Sequence, residues 1–431
     1  MNQVLLEKWD GLINSDKVEA IADPYRRKVT AQLLENQEKF LAETSSSSNM
    51  TSNVQNWDPI LISLVRRMAP KLIAYDLCSV QPMNAPAGLV FAMRSKYDRV
   101  GDGTIGVSGV KPRYTKPGAA GYVGKQTEDE ALHFEADTSF SGTGTHVGDS
   151  YDPFAVGFTP ADTYGTAMTT AAGESDDSWN SMSMTIEKVS VTARTRQLRA
   201  DYSIEMAQDL KSMHGLEADS EITNMLSTEM VAEINREITR TIYGHATVGA
   251  QWSDIDTAGT FDLDNDADGR WSLEKYKGLM LAIERDANRI SLETRRGKGN
   301  ILLTSADVAS ALNMAGVLNY TNMSNGHQMD VDVTGTTFAG MMGRFKVFVD
   351  PFLSSNGYVV GYKGANVWDA GIYYCPYVPL QLFRATNVDT FQPALGFKTR
   401  YGMIANPFTN SDGIIQGTTS PYFRRTRVVG L

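Results

Sequence analysis

The sequence predicts an α+β protein, because helical and strand patterns occupy different stretches of the chain. The segment from Leu216 to Tyr243 has one unbroken helical pattern. Its apolar residues recur at every fourth position, namely Ile222, Leu226, Met230, Ile234, Ile238 and Ile242. This spacing is typical of one buried helix face. The segment from Met182 to Thr195 mostly alternates, as a strand does, and strand patterns dominate from Phe345 onward.

Length and charge limit the classes of function. At 431 residues the chain is long enough for two or three domains. A net charge of −10 argues against tight, nonspecific wrapping of nucleic acid, because such binding needs basic side chains that displace counterions from phosphate. With neither about 18 consecutive apolar residues nor a secretory signal pattern, we expect a protein made in a reducing cytoplasm, with no membrane partner. Cys78 and Cys375 are expected to be small buried hydrophobes.

Residues 1–43 are predicted to form a separate N-terminal tail. They favour helix from Asp23 to Phe40 and end at the run from Thr44 to Ser48, which predicts a flexible link. A leucine or isoleucine two positions before a glutamate occurs three times in the chain, always in this tail, ending at Glu7, Glu35 and Glu43. The third copy precedes the serine run, where an extended backbone could enter a protease cleft. Chance clustering in a helix rich in leucine and glutamate is the alternative.

The next segments predict a short helix and then a two-stranded ribbon. Asp58 can cap a helix with Pro59 at its first position, Pro70 interrupts it, and extended chain is expected after the break. Residues 88–93 are expected to pair with the alternating segment that ends at Thr195. The stretch between the strands is rich in glycine, serine and threonine, and it is predicted to be an insertion domain or an ornate loop at the ribbon's tip.

Two helices should follow the ribbon. The first runs from Ser203 to Met213 and is ended by Gly215 at positive φ. The second is the long helix, which would span roughly 40 Å. On its exposed side, Glu233 is expected to pair with Arg236, and Glu237 with Arg240.

The rest of the chain predicts one more long helix and then mainly strands. An acidic turn at 262–270 leads into a helix at 272–294. A buried strand at 300–304 and a short helix capped by Ser305 come next. The chain from about Phe397 to the end is expected to be extended and to lie beside the long helix.

Several motifs are incomplete as catalytic or cofactor sites. Gly101, Gly103 and Gly106 have dinucleotide-site spacing, but no helical pattern follows them, so a turn-forming loop is favoured. Lys298 lies between two glycines without the serine or threonine that a phosphate loop needs. No histidines show zinc-helix spacing, and no G-x-S-x-G sequence occurs. We therefore predict neither an enzyme nor a cofactor.

The acidic turn resembles half of a calcium loop. Asp264, Asp266 and Asp268 alternate as the first ligands of such a loop do. Lys275 stands where the bidentate glutamate belongs, and a lysine opposes a cation. A turn that caps the next helix is favoured, and a weak calcium site is left open.

Three arginines lie close together near the C-terminus and alternate with apolar residues in the last strand-like segment. Arg424, Arg425 and Arg427 are expected to face subunit carboxylates or solvent, with phosphate as the alternative.

The segments described above resemble, in order, the major capsid protein of T-even-like tailed bacteriophages. The matching stretches are Asn53–Met83, Arg196–Asp219, Glu233–Ile238, Tyr358–Gly364, YVPLQLFRA from Tyr377, Phe391–Phe408 and Tyr422–Arg425. Long matches of this kind are far more specific than any short motif.

The resemblance implies a Hong Kong 97-type capsid fold with a peripheral and an axial domain. The predicted division is 1–43 as a propeptide removed on maturation, 44–86 as N-terminal arm and start of the peripheral domain, 87–196 as E-loop with an insertion domain at about 97–180, 197–243 as peripheral domain with the spine helix, 244–393 as axial domain, and 394–431 as the return to the peripheral domain.

The resemblance also implies a function. The subunits would form hexamers that tile an icosahedral or elongated virion head around packaged double-stranded DNA, assembled in the cytoplasm of a host bacterium. The implied partners are other copies of the chain, a scaffold core, a prohead protease, vertex and portal proteins, and decoration proteins. In this family the protease cuts after the glutamate of the tail pattern, which marks Leu41, Glu43 and Thr44 as the cleavage site. The family's propeptide is longer than this one.

Two alternatives remain at this point. A minor vertex protein of the same phage would share the fold and form pentamers. A soluble enzyme of unrecognised type would form a discrete oligomer with a ligand-dependent melting shift.

Overall fold

The structure is a computed structural model that describes residues 6–9, 21, 23–47, 72–98, 138, 140–143, 165–174, 181–252, 255–267, 269, 271–294, 296–316, 318–320, 337–364, 366, 369–387, 391–406 and 419–431. The predicted helix at Asp58 and most of the predicted insertion domain lie outside these residues.

Helices and strands are numbered separately in chain order. The helices are α1 (Pro24–Ser47), α2 (Ala74–Leu77), α3 (Thr170–Glu174), α4 (Ile204–His214), α5 (Ala218–His245), α6 (Ser272–Thr294) and α7 (Ala306–Met314). The strands are β1 (Ser79–Val80), β2 (Ala87–Asp98), β3 (Ser181–Thr192), β4 (Arg194–Asp201), β5 (Ala246–Val248), β6 (Thr260–Asp262), β7 (Ile301–Ser305), β8 (Asn319–Tyr320), β9 (Thr337–Met342), β10 (Phe345–Asp350), β11 (Gly357–Gly361), β12 (Ile372–Thr386), β13 (Pro393–Ala405) and β14 (Ser420–Val429).

The strands form two sheets and a ribbon. The first sheet has the order β1-β12-β13-β4, and the second has the order β5-β14-β11-β7-β10-β9-β8, with β6 also pairing to β14. The ribbon is the antiparallel pair of β2 and β3, in register from Ala87 opposite Thr192 to Asp98 opposite Ser181. This confirms the predicted ribbon and the α+β class.

The long helix α5 packs between the two sheets. Met230, Ile234 and Ile238 on its apolar face have no exposed surface. They share one core with Leu395 and Phe397 of the first sheet. The same core includes residues of the second sheet, namely Ile301, Leu303, Phe348, Val359 and Phe423. The predicted buried face of this helix is therefore confirmed. We refer to the two sheets with α5, α6 and α7 as the body.

A second core lies on the opposite face of the second sheet. Leu302 of β7 belongs to this core, whereas its neighbours Ile301 and Leu303 belong to the first, because successive side chains of a strand point to opposite faces. Helix α6 covers this side with its predicted apolar face, namely Leu279, Ile283, Ala287 and Ile290. The second sheet is therefore buried on both faces, which explains the continuous apolar run of β7.

Local signals fix the boundaries of α4. The Ser203 hydroxyl accepts a hydrogen bond from the backbone N–H of Met206 at 3.2 Å, as an N-cap residue does. Gly215 ends the helix with φ of 66°, which a residue without Cβ adopts at little cost. The predicted helix and its glycine stop are confirmed.

The structure differs from the sequence-based expectations at three places. Helix α1 continues through Ser47, whereas the sequence predicted a flexible link from Thr44. Helix α2 forms where extended chain was expected after the proline break. Ser305 precedes α7, but its side chain makes no capping hydrogen bond. Its hydroxyl donates to Asn356 Oδ1 at 3.3 Å.

The two sheets do not follow the boundaries of the predicted axial and peripheral domains. Strand β12 falls within the predicted axial range 244–393 but pairs with β1 and β13 of the first sheet. Strand β14 falls within the predicted peripheral range 394–431 but pairs with β11 in the second sheet. The C-terminal strands nevertheless lie beside α5 as expected, since Arg425 donates to the backbone oxygen of Tyr243 at 3.1 Å.

Truncation of the buried face of α5 should destabilise the body. We expect Ile234→Ala to lower the free energy of unfolding by about 2–5 kcal/mol, because it removes a fully buried side chain and leaves a cavity. Met225→Ala, at a position of the same helix that is 68% exposed, should change it by less than about 0.5 kcal/mol. Urea unfolding of the two variants checks this. Equal losses would contradict the packing described here.

Candidate functional site

One face of the ribbon is apolar and exposed. Because β2 and β3 pair directly, Leu89 and Phe91 lie on the same face as Ser190 and Lys188 opposite them. This face continues along β3 through every second residue. Its large apolar side chains are between 44% and 65% exposed, namely Leu89, Phe91, Met182, Met184 and Ile186. We call these five residues the apolar ribbon face.

The base of the ribbon is anchored to the body by its other face. Val90 and Val191 are buried together with Met83 of the preceding segment. They also pack against Tyr373 and Cys375 of β12. One side of the ribbon is therefore buried against the body, whereas the apolar ribbon face on the other side is exposed.

The length of the ribbon makes this exposure unusual. Each strand has 12 residues, which corresponds to about 40 Å at 3.4 Å per residue. An isolated two-stranded ribbon is marginally stable in water, and contiguous exposed apolar surface marks a contact with another molecule. The arrangement is that of a surface that becomes buried on association.

The exposed side of α5 is tied to the first sheet by one arginine. Arg196 of β4 donates to Glu233 Oε2 at 2.7 Å and to the hydroxyl of Tyr401 at 2.9 Å. Glu237 accepts hydrogen bonds from both Arg196 and Tyr401. Burial and the neighbouring Glu237 raise the pKa of the Tyr401 hydroxyl, which therefore stays protonated and can donate.

A second arginine ties the same helix to the second sheet. Arg236 donates to Oδ2 of Asp350, at the end of β10, at 2.6 Å. The Asp350 side chain has no exposed surface, and it also accepts from the Tyr243 hydroxyl at 2.9 Å and the Phe352 N–H at 3.0 Å. The sequence predicted pairs within the helix, Glu233 with Arg236 and Glu237 with Arg240. The structure instead joins Glu233, Glu237 and Arg236 to residues that are distant in the chain.

Helix α1 of the predicted tail is docked on the body. Val29 and Leu33 belong to the first core. The Asn36 amide donates to the backbone oxygens of Met83 at 2.8 Å and Tyr377 at 3.0 Å. This docking could not be predicted from the sequence, because Val29, Leu33 and Asn36 stand among many charged residues and show no distinctive pattern.

The structure distinguishes the three glutamates of the tail pattern. The copy that ends at Glu35 contains Leu33 and Leu34, which are both buried in the docked helix. In the copy that ends at Glu7, Leu6 and Glu7 lie in the short helical segment at 6–9, and Leu5 lies outside the described residues. The predicted site, with Leu41, Glu43 and Thr44, lies in the last turns of α1, beyond these buried residues. A protease that needs an extended substrate would have to unwind these turns.

Of the incomplete motifs, Gly101, Gly103 and Gly106 lie outside the described residues, Lys298 pairs with Glu284, and the acidic turn is partly described. Asp264 Oδ1 pairs with Lys275 at 2.5 Å, and Asp266 accepts from the Asp262 N–H at 2.8 Å. Asp268 lies outside the described residues. Across the ranges described, no three acidic, histidine or cysteine side chains are grouped closely enough to hold a metal ion. The described carboxylates of the turn make local hydrogen bonds and a salt bridge.

The two cysteines and one of the three C-terminal arginines are buried within the chain. Cys78 and Cys375 are buried free thiols, and burial raises the pKa of each to about 12. Arg424 is buried and pairs with Glu293 of the same chain. Arg425 and Arg427 are exposed. The buried arginine thus meets a carboxylate within the chain instead of the subunit carboxylate or solvent expected.

A buried aspartate holds the second sheet to α6 and the turn after β5. Asp286 accepts hydrogen bonds, each at 2.9 Å, from the Ala250 N–H and the hydroxyls of Tyr358 and Thr426. Burial raises the pKa of Asp286. Because hydrogen bonds within the chain satisfy this carboxylate, it is a structural link and does not resemble a catalytic group open to a substrate.

Removal of the Asp350 carboxylate should be costly. We expect Asp350→Ala to lower the free energy of unfolding by about 3–5 kcal/mol, because it leaves Arg236 without its buried partner. Asp201→Ala is the matched control, since it breaks only the exposed pair with Arg199, and exposed pairs often contribute nothing measurable. Urea unfolding of both variants tests this, and a similar loss for the two would refute the buried tie.

Comparisons with known proteins agree with the resemblance seen in the sequence. A family model described as "Major capsid protein Gp23" matches residues 54–428. The major capsid protein of Salmonella phage ViI is 35% identical over 460 residues, covering 100% of this chain and 99% of the relative. The major capsid protein of Serratia phage KSP90 is 37% identical over 442 residues, covering 96% of this chain and 95% of the relative. The major capsid protein of Enterobacteria phage T4 is 31% identical over 514 residues, covering 99% of this chain and 98% of the relative.

Two further similarities are weaker. The capsid vertex protein of Enterobacteria phage T4 is 24% identical over 239 residues, covering 52% of this chain and 53% of that protein. Among solved structures, the capsid of Myoviridae phage XM1 matches 83% of this chain and 92% of that chain, at 10% identity and a TM-score of 0.40. That similarity is too low to support a conclusion.

Within the described residues, every helix is too short or too polar to span a lipid bilayer.

The family match covers most of the chain, and relatives above 30% identity extend over nearly all of it. The chain therefore belongs to the Gp23 family of phage major capsid proteins, which form the shell of the virion head.

Proposed function

We propose that this chain assembles as hexamers into the head shell around packaged double-stranded DNA, and that its first 43 residues are removed by a cut after Glu43. The observation that carries the assembly is the exposure of the apolar ribbon face, whose five large apolar side chains are between 44% and 65% exposed. A second copy is the occupant that a shell provides. Subunit contacts of this permanent kind commonly bury more than about 2,000 Å².

The partners follow from this role. A scaffold core would guide assembly in the cytoplasm of a bacterial host, a prohead protease would cut the tail, and vertex and portal proteins would complete the shell, with decoration proteins bound outside. The net charge of −10 supports a wall that repels packaged DNA, because like charges repel within a Debye length of about 8 Å. We propose no catalytic role for the chain.

The hexamer is favoured over the vertex pentamer by similarity. The major capsid relatives match nearly the whole chain, whereas the vertex protein matches about half of it at lower identity. Copy number in purified particles separates the two roles, since a vertex protein would be present only at the few five-fold positions.

Charge on the apolar ribbon face should prevent assembly. We expect Ile186→Asp to leave the chain unassembled under conditions where the unmodified chain forms sheets, tubes or shells, because a buried unpaired carboxylate is costly in a subunit contact. Ile186→Val keeps an apolar, β-branched side chain and should assemble normally. Sedimentation and negative-stain microscopy measure both. Normal assembly of Ile186→Asp would count against this surface.

Cleavage after Glu43 is supported by its position in α1. The cut lies beyond the last described docking contact, at Gln37, and the following residues are threonine and serines, which are weaker helix formers than alanine. These last turns are therefore the part of α1 that unwinds at least cost. We propose that the protease cuts after local unwinding, which is the way a helical segment becomes an extended substrate.

Strengthening the last turns of α1 should slow the cut. We expect the triple substitution Ser45→Ala, Ser46→Ala and Ser47→Ala to reduce the cleavage rate by up to about tenfold, because each alanine favours helix by about 0.5 kcal/mol. Glycine at the same positions should accelerate cleavage. The rate is followed by intact mass in particles that contain the protease.

The position of the cut needs its own control. Glu43→Gln should leave the tail attached, and the mature chain of unmodified virions should begin at Thr44. A mature chain that begins elsewhere would disprove the assignment of this site.

A further inference from the structure

The surface that α1 covers is built as a groove for a helix. Its floor is formed by residues 72–84 and by β12 of the first sheet, and we call it the α1 groove. Val29 and Leu33 of α1 enter the first core beside Val80 and Leu380 of this floor. Tyr25 at the start of α1 donates a hydrogen bond to the backbone oxygen of Val80, the last residue of the edge strand β1.

Buried amides add directional contacts to this apolar packing. Asn36 donates to two backbone oxygens of the floor, as described above, and is buried. The Gln381 amide of β12 donates to Gln37 Oε1 at 2.9 Å, and both side chains are buried. A groove that made only apolar contacts would tolerate a shifted helix. The hydrogen bonds of these amides fix the register and the direction of α1.

Charged and aromatic contacts fix the N-terminal half of the same helix. Arg26 pairs with Asp76 at 3.3 Å, and its guanidinium carbon lies 5.0 Å from the centre of the Tyr75 ring. The docking contacts therefore extend from Tyr25 to Gln37. None of the described contacts with the groove comes from residues after Gln37.

The outer side of α1 has a small core of its own. Trp9 is buried against Ala31 and Leu34, and Lys8 pairs with Glu35 at 3.0 Å. Residues 6–9 thus fold back over α1. The tail is a small folded unit that binds the groove on one side and its own N-terminal segment on the other.

The cut and the docking contacts occupy different parts of the tail. A break after Glu43 removes the covalent link and leaves each docking contact between Tyr25 and Gln37 unchanged. If the tail leaves, the backbone oxygens of Met83 and Tyr377 lose their donor, and buried polar groups without partners are costly. Cleavage alone therefore provides no reason for the tail to leave.

We propose that the α1 groove is a peptide-binding site whose ligand is the chain's own excised N-terminal fragment, residues 1–43. The fragment stays bound after the cut, and its dissociation is a separate, slower step. Before the cut the tether holds the helix at a high effective concentration, and afterwards only the contacts of the groove retain it. The occurrence of this step in nature rests on the cleavage proposed above. The existence of the binding site does not depend on that cleavage.

The test uses the full-length chain with a recognition sequence for a site-specific protease inserted between Glu43 and Thr44. After complete cutting, gel filtration or pelleting of assemblies shows whether the fragment remains with the rest of the chain. We expect it to remain bound and to exchange slowly with added, fluorescently labelled synthetic peptide of residues 1–43. A fragment that separates at once would overturn the proposal.

Variant peptides keep the groove constant, so no substitution can disturb the folding of the body. Asn36→Leu in the labelled peptide removes the two amide hydrogen bonds at similar size, and we expect it to bind at least about tenfold more weakly. Lys28→Ala, at an exposed position of the same helix, should bind within about twofold of the unmodified peptide. Equal binding by the two variants would show that the peptide does not use this groove.

This experiment is independent of the natural cleavage site, because the added protease makes the cut. A virion chain that begins elsewhere than Thr44 would contradict the proposed function and leave the groove intact. Immediate loss of the fragment would contradict the groove and leave the proposed function intact.

Discussion

The packing of α5 between the two sheets holds the body together. Its fully buried face contributes to a core that contains side chains from both sheets, so neither sheet can close its inner face without this helix. The exposed side of the same helix is fixed by Arg196 to the first sheet and by Arg236 and Asp350 to the second. The apolar contacts supply most of the stabilisation, since burial of large side chains outweighs partly exposed ion pairs. The charged contacts set the rotation of the helix about its axis.

Most of the first core comes from α5 and the two sheets, and Val29 and Leu33 of the tail add to it. Among the described residues, the ribbon is attached to the body at its base, through Val90 and Val191, and the tail is attached through one face of α1. Both extend apolar or hydrogen-bonding groups beyond the body, and both gain by contact with another surface. In a shell, such elements let identical subunits connect while each body stays rigid. We propose that the ribbon supplies a surface for a neighbour, and that the tail occupies a groove within its own subunit and stays there after the link is cut.

Periodic segments could be predicted from the sequence, and long-range pairs could not. The apolar repeat from Ile222 to Ile242 predicted α5, and the alternation after Met182 predicted β3, because one period fixes one buried face. The partners of Arg196 and Asp350 could be identified only from the folded structure, since helix spacing alone favours a salt bridge between Glu233 and Arg236.

The extent of α1 and the position of β14 were missed for related reasons. Serines disfavour helix only weakly, so α1 continues through Ser47 although the composition of Thr44–Ser48 suggests a linker. Strand β14 shows an ordinary strand pattern, which indicates a strand without indicating its sheet. The candidate surfaces were foreseen in part: the ribbon followed from alternation, but the docking of the tail depends on Asn36 and Gln37, which have no distinctive pattern.

The central claim is that the apolar ribbon face becomes buried against a second copy of the chain. A cryo-EM reconstruction of shells assembled from the full-length chain, at a resolution that shows side chains, tests it most directly. The account predicts that Met184 and Ile186 lie against the body or ribbon of a neighbouring subunit, within ordinary van der Waals distance. A well-ordered shell in which this face remains in solvent would contradict it.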